Sequence, residues 1–147
     1  MLGQTRRQGR RHVQDILAAG DGLGPACVLF EIGGKERQTI ARLGAMVGAQ
    51  LDVRRFRPNI LVEATEEGAF AEDAWVGCVL RVGGLRLRVD KRDGRCVVLT
   101  IDPVTTERNP AILRAIAQDR QGCLGVYGST AEPGRIAVGD RVIIDSP

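Results

Sequence analysis

Short apolar runs, punctuated by glycine, proline and charge, make up most of the chain. From Thr39 the apolar positions fall at Ile40, Leu43, Met46 and Val47, the spacing of one helix face. Thr39 is placed to cap that helix and Gly48 to end it. Gly44 inside it costs about 1 kcal/mol against alanine, so the helix depends on tertiary packing. Pro58 favours an extended approach to Ile60, Leu61 and Val62, which read as a buried strand. Residues 64 to 76 form an acidic loop with Glu66, Glu67, Glu72 and Asp73, beneath which Trp75 packs. Val79 to Val82 and Leu85 to Val89 flank Gly83-Gly84 as a hairpin, with Leu85, Leu87 and Val89 on one face and Arg86 and Arg88 on the other. Cys96 to Ile101 is a nearly continuous apolar strand stopped by Asp102-Pro103. Asn109 and Pro110 open a second helix with Ile112, Leu113, Ile116 and Ala117 as its buried stripe. Strands follow at 123 to 128, 135 to 138 and 141 to 145.

The first 25 or so residues are polar and aperiodic apart from Val13, Ile16 and Leu17, which predicts a short amphipathic turn or a disordered arm. About seven short strands and two short helices predict a mostly β (α+β), barrel-like fold. The 147 residues suit one domain with one real core. Aromatic residues are only 3%, so that core rests on Val, Leu, Ile and Ala, and the stacking platforms of single-stranded nucleic-acid binders are missing.

Net charge is a modest +3 but unevenly placed, with Arg6, Arg7, Arg10 and Arg11 at the start and Arg54, Arg55 and Arg57 further on. The first cluster reads as a solvated tail, with a weak likeness to a transit segment. No stretch approaches the ~20 apolar residues of a membrane helix. A cytoplasmic location is expected, with Cys27, Cys78, Cys96 and Cys123 reduced. No C-x-x-C pair occurs and the single histidine, His12, lies near the start, so a structural zinc site is not expected. Phosphate loops, zincin motifs and a Ser-His-Asp triad are also not in evidence, which removes nucleotide-dependent and hydrolase classes.

Three places carry candidate chemistry. Arg55, Arg57 and Asn59 alternate, and on an extended segment they share one face. Arginine offers a planar fork to phosphate, and asparagine adds a donor and an acceptor. The set reads equally as a cradle for a phosphorylated ligand or as a charged strand edge. Cys96 follows Arg95, a cation that raises the thiolate share of a thiol with an ordinary pKa of about 8.5. Against this stands the commoner role of a free cysteine, a small core residue. Thr100 and Asp102 lie further along and share the Cys96 face if the pleat is regular. Cys27, Cys78 and Cys123 sit in apolar company and read as core. Tyr127, among glycines and small residues, either stands open to a cavity or buries its hydroxyl against a local partner.

Five segments occur in a telling order: Arg-Phe-Arg-Pro-Asn-Ile (55 to 60), Phe-Ala-Glu-Asp-Ala-Trp-Val-Gly (70 to 77), Arg-Cys (95 to 96) before Asp-Pro (102 to 103), Leu-Gly-Val-Tyr-Gly (124 to 128) and Pro-Gly-Arg-Ile-Ala-Val-Gly-Asp (133 to 140). Together they resemble the MOSC domain, found at the C-terminus of molybdenum-cofactor sulfurases, in bacterial proteins and in amidoxime-reducing enzymes. The likeness covers residues 39 to 147, with residues 1 to 38 a poorly matched N-terminal arm. It implies a barrel-like fold holding a molybdopterin-type molybdenum cofactor. In amidoxime-reducing relatives a cysteine thiolate ligates molybdenum, and Cys96 matches it as metal ligand and catalytic residue. Arg57 and Asn59 match the Arg-Pro-Asn element near the cofactor's phosphate and pterin, and Tyr127 matches a tyrosine near that site. Arg55, Arg95, Thr100 and Asp102 are the neighbouring residues expected to complete the cofactor pocket. Those relatives carry two adjacent threonines after the cysteine, where this chain has Leu99 and Thr100.

The resemblance implies three functions. The first is reduction of N-hydroxylated compounds with electrons from a partner protein. The second is carriage of persulfide sulfur on Cys96, loaded by a sulfur-donor protein. The third is a non-catalytic, partial module acting through protein interaction. No nucleic-acid or membrane partner is expected.

Overall fold

The computed structural model describes residues 11–16, 26–32, 39–64 and 70–146, with backbone alone for 11–16, 26–32 and 63–64. The arginines before Arg11, the acidic Glu66 and Glu67 and the side chain of Cys27 therefore lie outside the described residues. The strands are β1 (Arg11–Ile16), β2 (Ala26–Ile32), β3 (Ile60–Ala64), β4 (Val79–Val82), β5 (Leu85–Gly94), β6 (Cys123–Glu132) and β7 (Arg141–Asp145). The helices are α1 (Thr39–Val47) and α2 (Pro110–Arg120).

The α+β class holds: two helices accompany an antiparallel sheet of four strands in the order β6-β5-β4-β7. Backbone pairing continues from β6 to β2, then in parallel to β3 and antiparallel to β1. Two further pairs, Arg11↔Val142 and His12↔Arg141, connect β1 with β7. The turn or arm expected before residue 25 thus includes a strand. Its weak pattern is overridden by the ladder it makes with β3. No helix among the described residues is long and apolar enough to cross a membrane.

Both helices end as their sequences direct, with one difference. Asn109 accepts a hydrogen bond from the Ala111 N–H at 3.2 Å, and Pro110 occupies the first turn of α2. Thr39 was expected to cap α1 but is its first residue. It is fully buried, and its hydroxyl accepts from the Phe70 N–H at 3.2 Å. Gly44 also finds its reason here. A methyl group at this position would lie 2.5 Å from the Ala49 carbonyl oxygen, where the chain folds back past the end of α1.

The core has two parts, and β3 separates them. Ile60 and Val62 face a cluster with Trp75, Leu80, Val82, Leu87, Val89, Val126 and Val142. Leu61, on the opposite face, joins Ile40, Leu43, Phe56, Leu99, Ile112, Ile116 and Leu124 under the two helices. Leu124 and Val126 would share a face of a regular strand, yet they belong to different clusters. The register explains this: β5 advances from Arg92 to Gly94 while β6 spans Cys123 to Val126, so β6 carries a bulge. Gly125 makes it at φ 78°, a backbone conformation costly for any side chain.

Two expected strands are absent. Residues Val97–Thr100 form a 3-10 turn, so the regular pleat placing Thr100 and Asp102 on the Cys96 face does not exist. A short apolar run carries no periodicity to tell a strand from a buried turn. Residues 135 to 138 are irregular because their backbone groups are used elsewhere. The Arg135 carbonyl accepts from the Gly84 N–H at 2.9 Å, and the Ala137 N–H donates to the Asp140 carboxylate at 2.7 Å.

The acidic loop also hides a surprise. A 3-10 turn at Ala71–Trp75 buries Glu72 completely, and neither carboxylate oxygen has a hydrogen-bond partner. Burial pushes its pKa from 4.5 up to about 7, and adjacent Asp73 adds to the rise. The backbone N–H groups of Glu72 and Gly125, near the carboxylate but short of hydrogen-bond geometry, and the Arg120 charge oppose it only partly. Asp73 itself bonds Arg92 at 3.2 Å and Arg120 at 2.8 Å. The folded state therefore holds the Glu72 proton more tightly than the unfolded chain does. Its contribution is intact below pH 4.5 and is lost as pH rises through about 7, by roughly 3 kcal/mol in all. Glu72→Gln should remove this loss, so the variant gains on the wild type between pH 4.5 and 8 in urea denaturation. Parallel pH profiles for the two proteins would contradict it.

Candidate functional site

Where β5 ends, three segments meet. Residues Val53–Phe56 make a 3-10 turn that Asp52 caps through the Arg54 N–H at 2.8 Å. Arg57 closes that turn in the left-handed conformation, at φ 49° and ψ 50°. Arg55, Arg57 and Asn59 therefore do not alternate along an extended segment as expected. They still converge, because the turn wraps all three around one cavity.

That cavity, of about 330 Å³, is lined by Arg55, Phe56, Arg57, Asn59, Asp93, Gly94, Arg95, Cys96, Val98, Leu99 and Tyr127. Six of the expected site residues thus meet there, Cys96 among them as an exposed thiol. Thr100 and Asp102 are not on its wall. Thr100 is buried and donates its hydroxyl to the Val97 carbonyl at 2.6 Å, which braces the turn after Cys96. Asp102 accepts from the Val104 and Thr105 N–H groups at 2.8 and 2.9 Å and from Arg55 at 2.6 Å. The Thr105 and Val104 N–H groups, with help from the Arg55 charge, hold its carboxyl below the ordinary carboxylate range.

The three cationic residues of the cavity differ in freedom. Arg55 is nearly buried and donates to Asp102 and, at 3.0 Å, to the Thr100 carbonyl. Arg95 is equally buried, pairs with Asp93 at 2.9 Å and donates to the carbonyls of Phe56 and Leu124 at 2.9 and 2.8 Å. Its guanidinium also lies 5.8 Å from the centre of the Phe56 ring. Both arginines therefore shape the wall. Arg57 is exposed, and it carries the charge best placed to meet an anion.

Sequence reasoning passed over two charged neighbours. Asp93, 1% exposed, stands two residues before Arg95, and alternate strand residues sharing a face was the available signal. Lys91 holds its ammonium 5.8 Å from the Tyr127 ring centre, because β5 pairs Lys91 with Tyr127. That pairing depends on strand register, which no local pattern reveals. Cys78 is buried, as expected, whereas Cys123 is partly exposed and sits 3.7 Å from the Gln121 carbonyl. Among the described residues no three His, Cys, Asp or Glu side chains gather as a metal cage.

A family model for the MOSC domain matches residues 35–143, and the chain belongs to that family. MOSC domains are associated with the molybdenum cofactor. The fold is similar to that of the YuaD protein from Bacillus subtilis, with a TM-score of 0.62 and 15% identity over 83% of this chain and 64% of that one. It is also similar to YiiM from Geobacillus stearothermophilus, with a TM-score of 0.59 and 15% identity over 85% of this chain and 62% of that one. The chain thus spans less than two thirds of either structure's length. No curated protein matches it.

The left-handed backbone at Arg57 costs ~1 kcal/mol or more for a residue with a side chain. Arg57→Gly is therefore expected to leave stability unchanged or to raise it by up to ~1 kcal/mol in urea denaturation. The same substitution should abolish any thermal protection by inorganic pyrophosphate. A marked loss of stability would mean that the arginine serves the fold.

Proposed function

We propose that the chain binds a molybdenum cofactor, with Cys96 as the protein's ligand to the metal, and reduces N-hydroxylated compounds with electrons from a separate partner protein. One observation carries this reading: the Cys96 thiol is exposed on a cavity whose wall also presents Arg57, Asn59 and Tyr127. A soft thiolate suits a soft, redox-active metal, and an exposed guanidinium suits a phosphate. With no cage of three His, Cys, Asp or Glu side chains among the described residues, the sulfur suits a cofactor whose organic part supplies further donors. When bound, that cofactor would supply the two-electron chemistry. The chain's own residues do the rest: Arg57 and Asn59 hold the polar end, and the braced turn after Cys96 fixes the sulfur's direction. Tyr127, with Lys91 beside its ring, lines the same space.

The β1–β7 pairing supports reading the strands as a barrel, with β1 and β2 in place of the expected strands at 96 to 101 and 135 to 138, and with this cavity at one end of β5.

The exposure of Cys96 also favours a second reading, a sulfur carrier, because a persulfide needs only an accessible nucleophilic thiol. Expression in a host that makes molybdenum cofactor separates the two. The reductase reading expects stoichiometric molybdenum and a pterin in the purified protein, both lost on Cys96→Ser. A cyanide-labile sulfur on Cys96 without molybdenum would favour the carrier. Neither ligand on the wild type would leave the non-catalytic module.

A further inference from the structure

Five large apolar side chains are exposed among the described residues: Val76, Val97, Val98, Val104 and Val138. Three of them lie between residues 97 and 104, directly after Cys96. Val97 is 55% exposed and Val98 44%, and Val98 also lines the cavity. Neither is loosely held. The Thr100 hydroxyl bonds the Val97 carbonyl, the Ile101 N–H bonds the Val98 carbonyl at 3.1 Å, and Arg55 reaches the carbonyls of Leu99 and Thr100. The turn buries Leu99 and Thr100 and turns the two valines outward. Two adjacent branched apolar side chains are thus displayed on a fixed turn beside an exposed thiol.

We propose that the exposed pair Val97 and Val98, of which Val98 lines the cavity, forms an apolar subsite beside Cys96, selecting substrates that carry a hydrophobic substituent next to the group that reacts there. This rests on the Cys96-centred reading above. The cavity wall has two characters: Arg57 and Asn59 lie on the segment after the 53–56 turn, whereas Val98 and Leu99 belong to the turn after Cys96. A ligand entering beside Val98 meets apolar surface next to Cys96. A small molecule fits better than a protein partner, because two exposed valines, of which Val98 lines the concave cavity, fall far short of the ~800 Å² that each side of a protein interface buries.

The test uses the full, metal-free, reduced chain and a series of N-substituted maleimides with methyl, butyl and benzyl groups. Alkylation rates at Cys96 are followed by peptide mass spectrometry and normalised to glutathione. Partial burial of a butyl or benzyl group should make Cys96 roughly five- to tenfold more selective for it over methyl than glutathione is. The double variant Val97→Ser, Val98→Ser should bring that ratio within about twofold of glutathione. Val138→Ser, exposed elsewhere, should keep the selectivity. Selectivity equal to glutathione in the wild type, or undiminished in the double variant, would overturn the subsite and leave the Cys96 reading standing. A Cys96 unreactive even to N-methylmaleimide would instead overturn the accessible-thiol reading, and the subsite with it.

Discussion

The buried ion pair between Arg95 and Asp93 ties together everything around the cavity. One guanidinium spans the end of β5, the carbonyl of Phe56 in the 53–56 turn and the carbonyl of Leu124 in β6, with Asp93 balancing its charge at 2.9 Å. Each contact is charge-assisted and removed from water, so losing one partner would strand a buried charge, typically a cost of 3–5 kcal/mol. The next residue is Cys96. The position of the sulfur is thus inherited from a clamp across three segments distant in sequence.

A second arginine repeats the device on the chain after the thiol. Arg55 reaches across to Asp102 and to the carbonyls of Leu99 and Thr100, giving the chain after Cys96 the partners it would otherwise seek in a sheet. Backbone groups that are buried must be bonded somewhere, and a side-chain fork can substitute for a neighbouring strand. With Arg55 and Arg95 both committed to the wall, Arg57 is the arginine left facing solvent, held in a backbone conformation that arginine does not favour. Strain and unspent charge at one residue are the usual marks of a site shaped for a ligand.

Much of the frame was readable in advance. The Asn109-Pro110 start of α2, the apolar stripe of α1 and the Gly83-Gly84 hairpin are local signals, and each appears where its residues stand. The ordered motifs carried the family. What failed was the assignment of runs whose state depends on distant partners. Val97-Val98-Leu99 looked like a strand but became a turn under Arg55, and residues 135 to 138 gave their backbone bonds to Gly84 and Asp140. Glu72 looked like part of a solvated loop, since no local pattern announces that a carboxylate will be buried without a partner.

By itself the sequence determined the class of fold, both helices, the hairpin and the identity of the residues worth watching, Cys96 above all. These follow from short-range chemistry: caps, turn residues and periodic burial. Only the tertiary structure decided what those residues do to one another. It split an expected row of Arg55, Arg57 and Asn59, committing Arg55 to the wall and leaving Arg57 as an open charge, and moved Thr100 and Asp102 from the cavity wall to its bracing. It also brought Asp93 and Lys91 to the site. The physical reason is that a guanidinium is spent or free according to which carbonyls the fold places within its reach, and those belong to segments dozens of residues away.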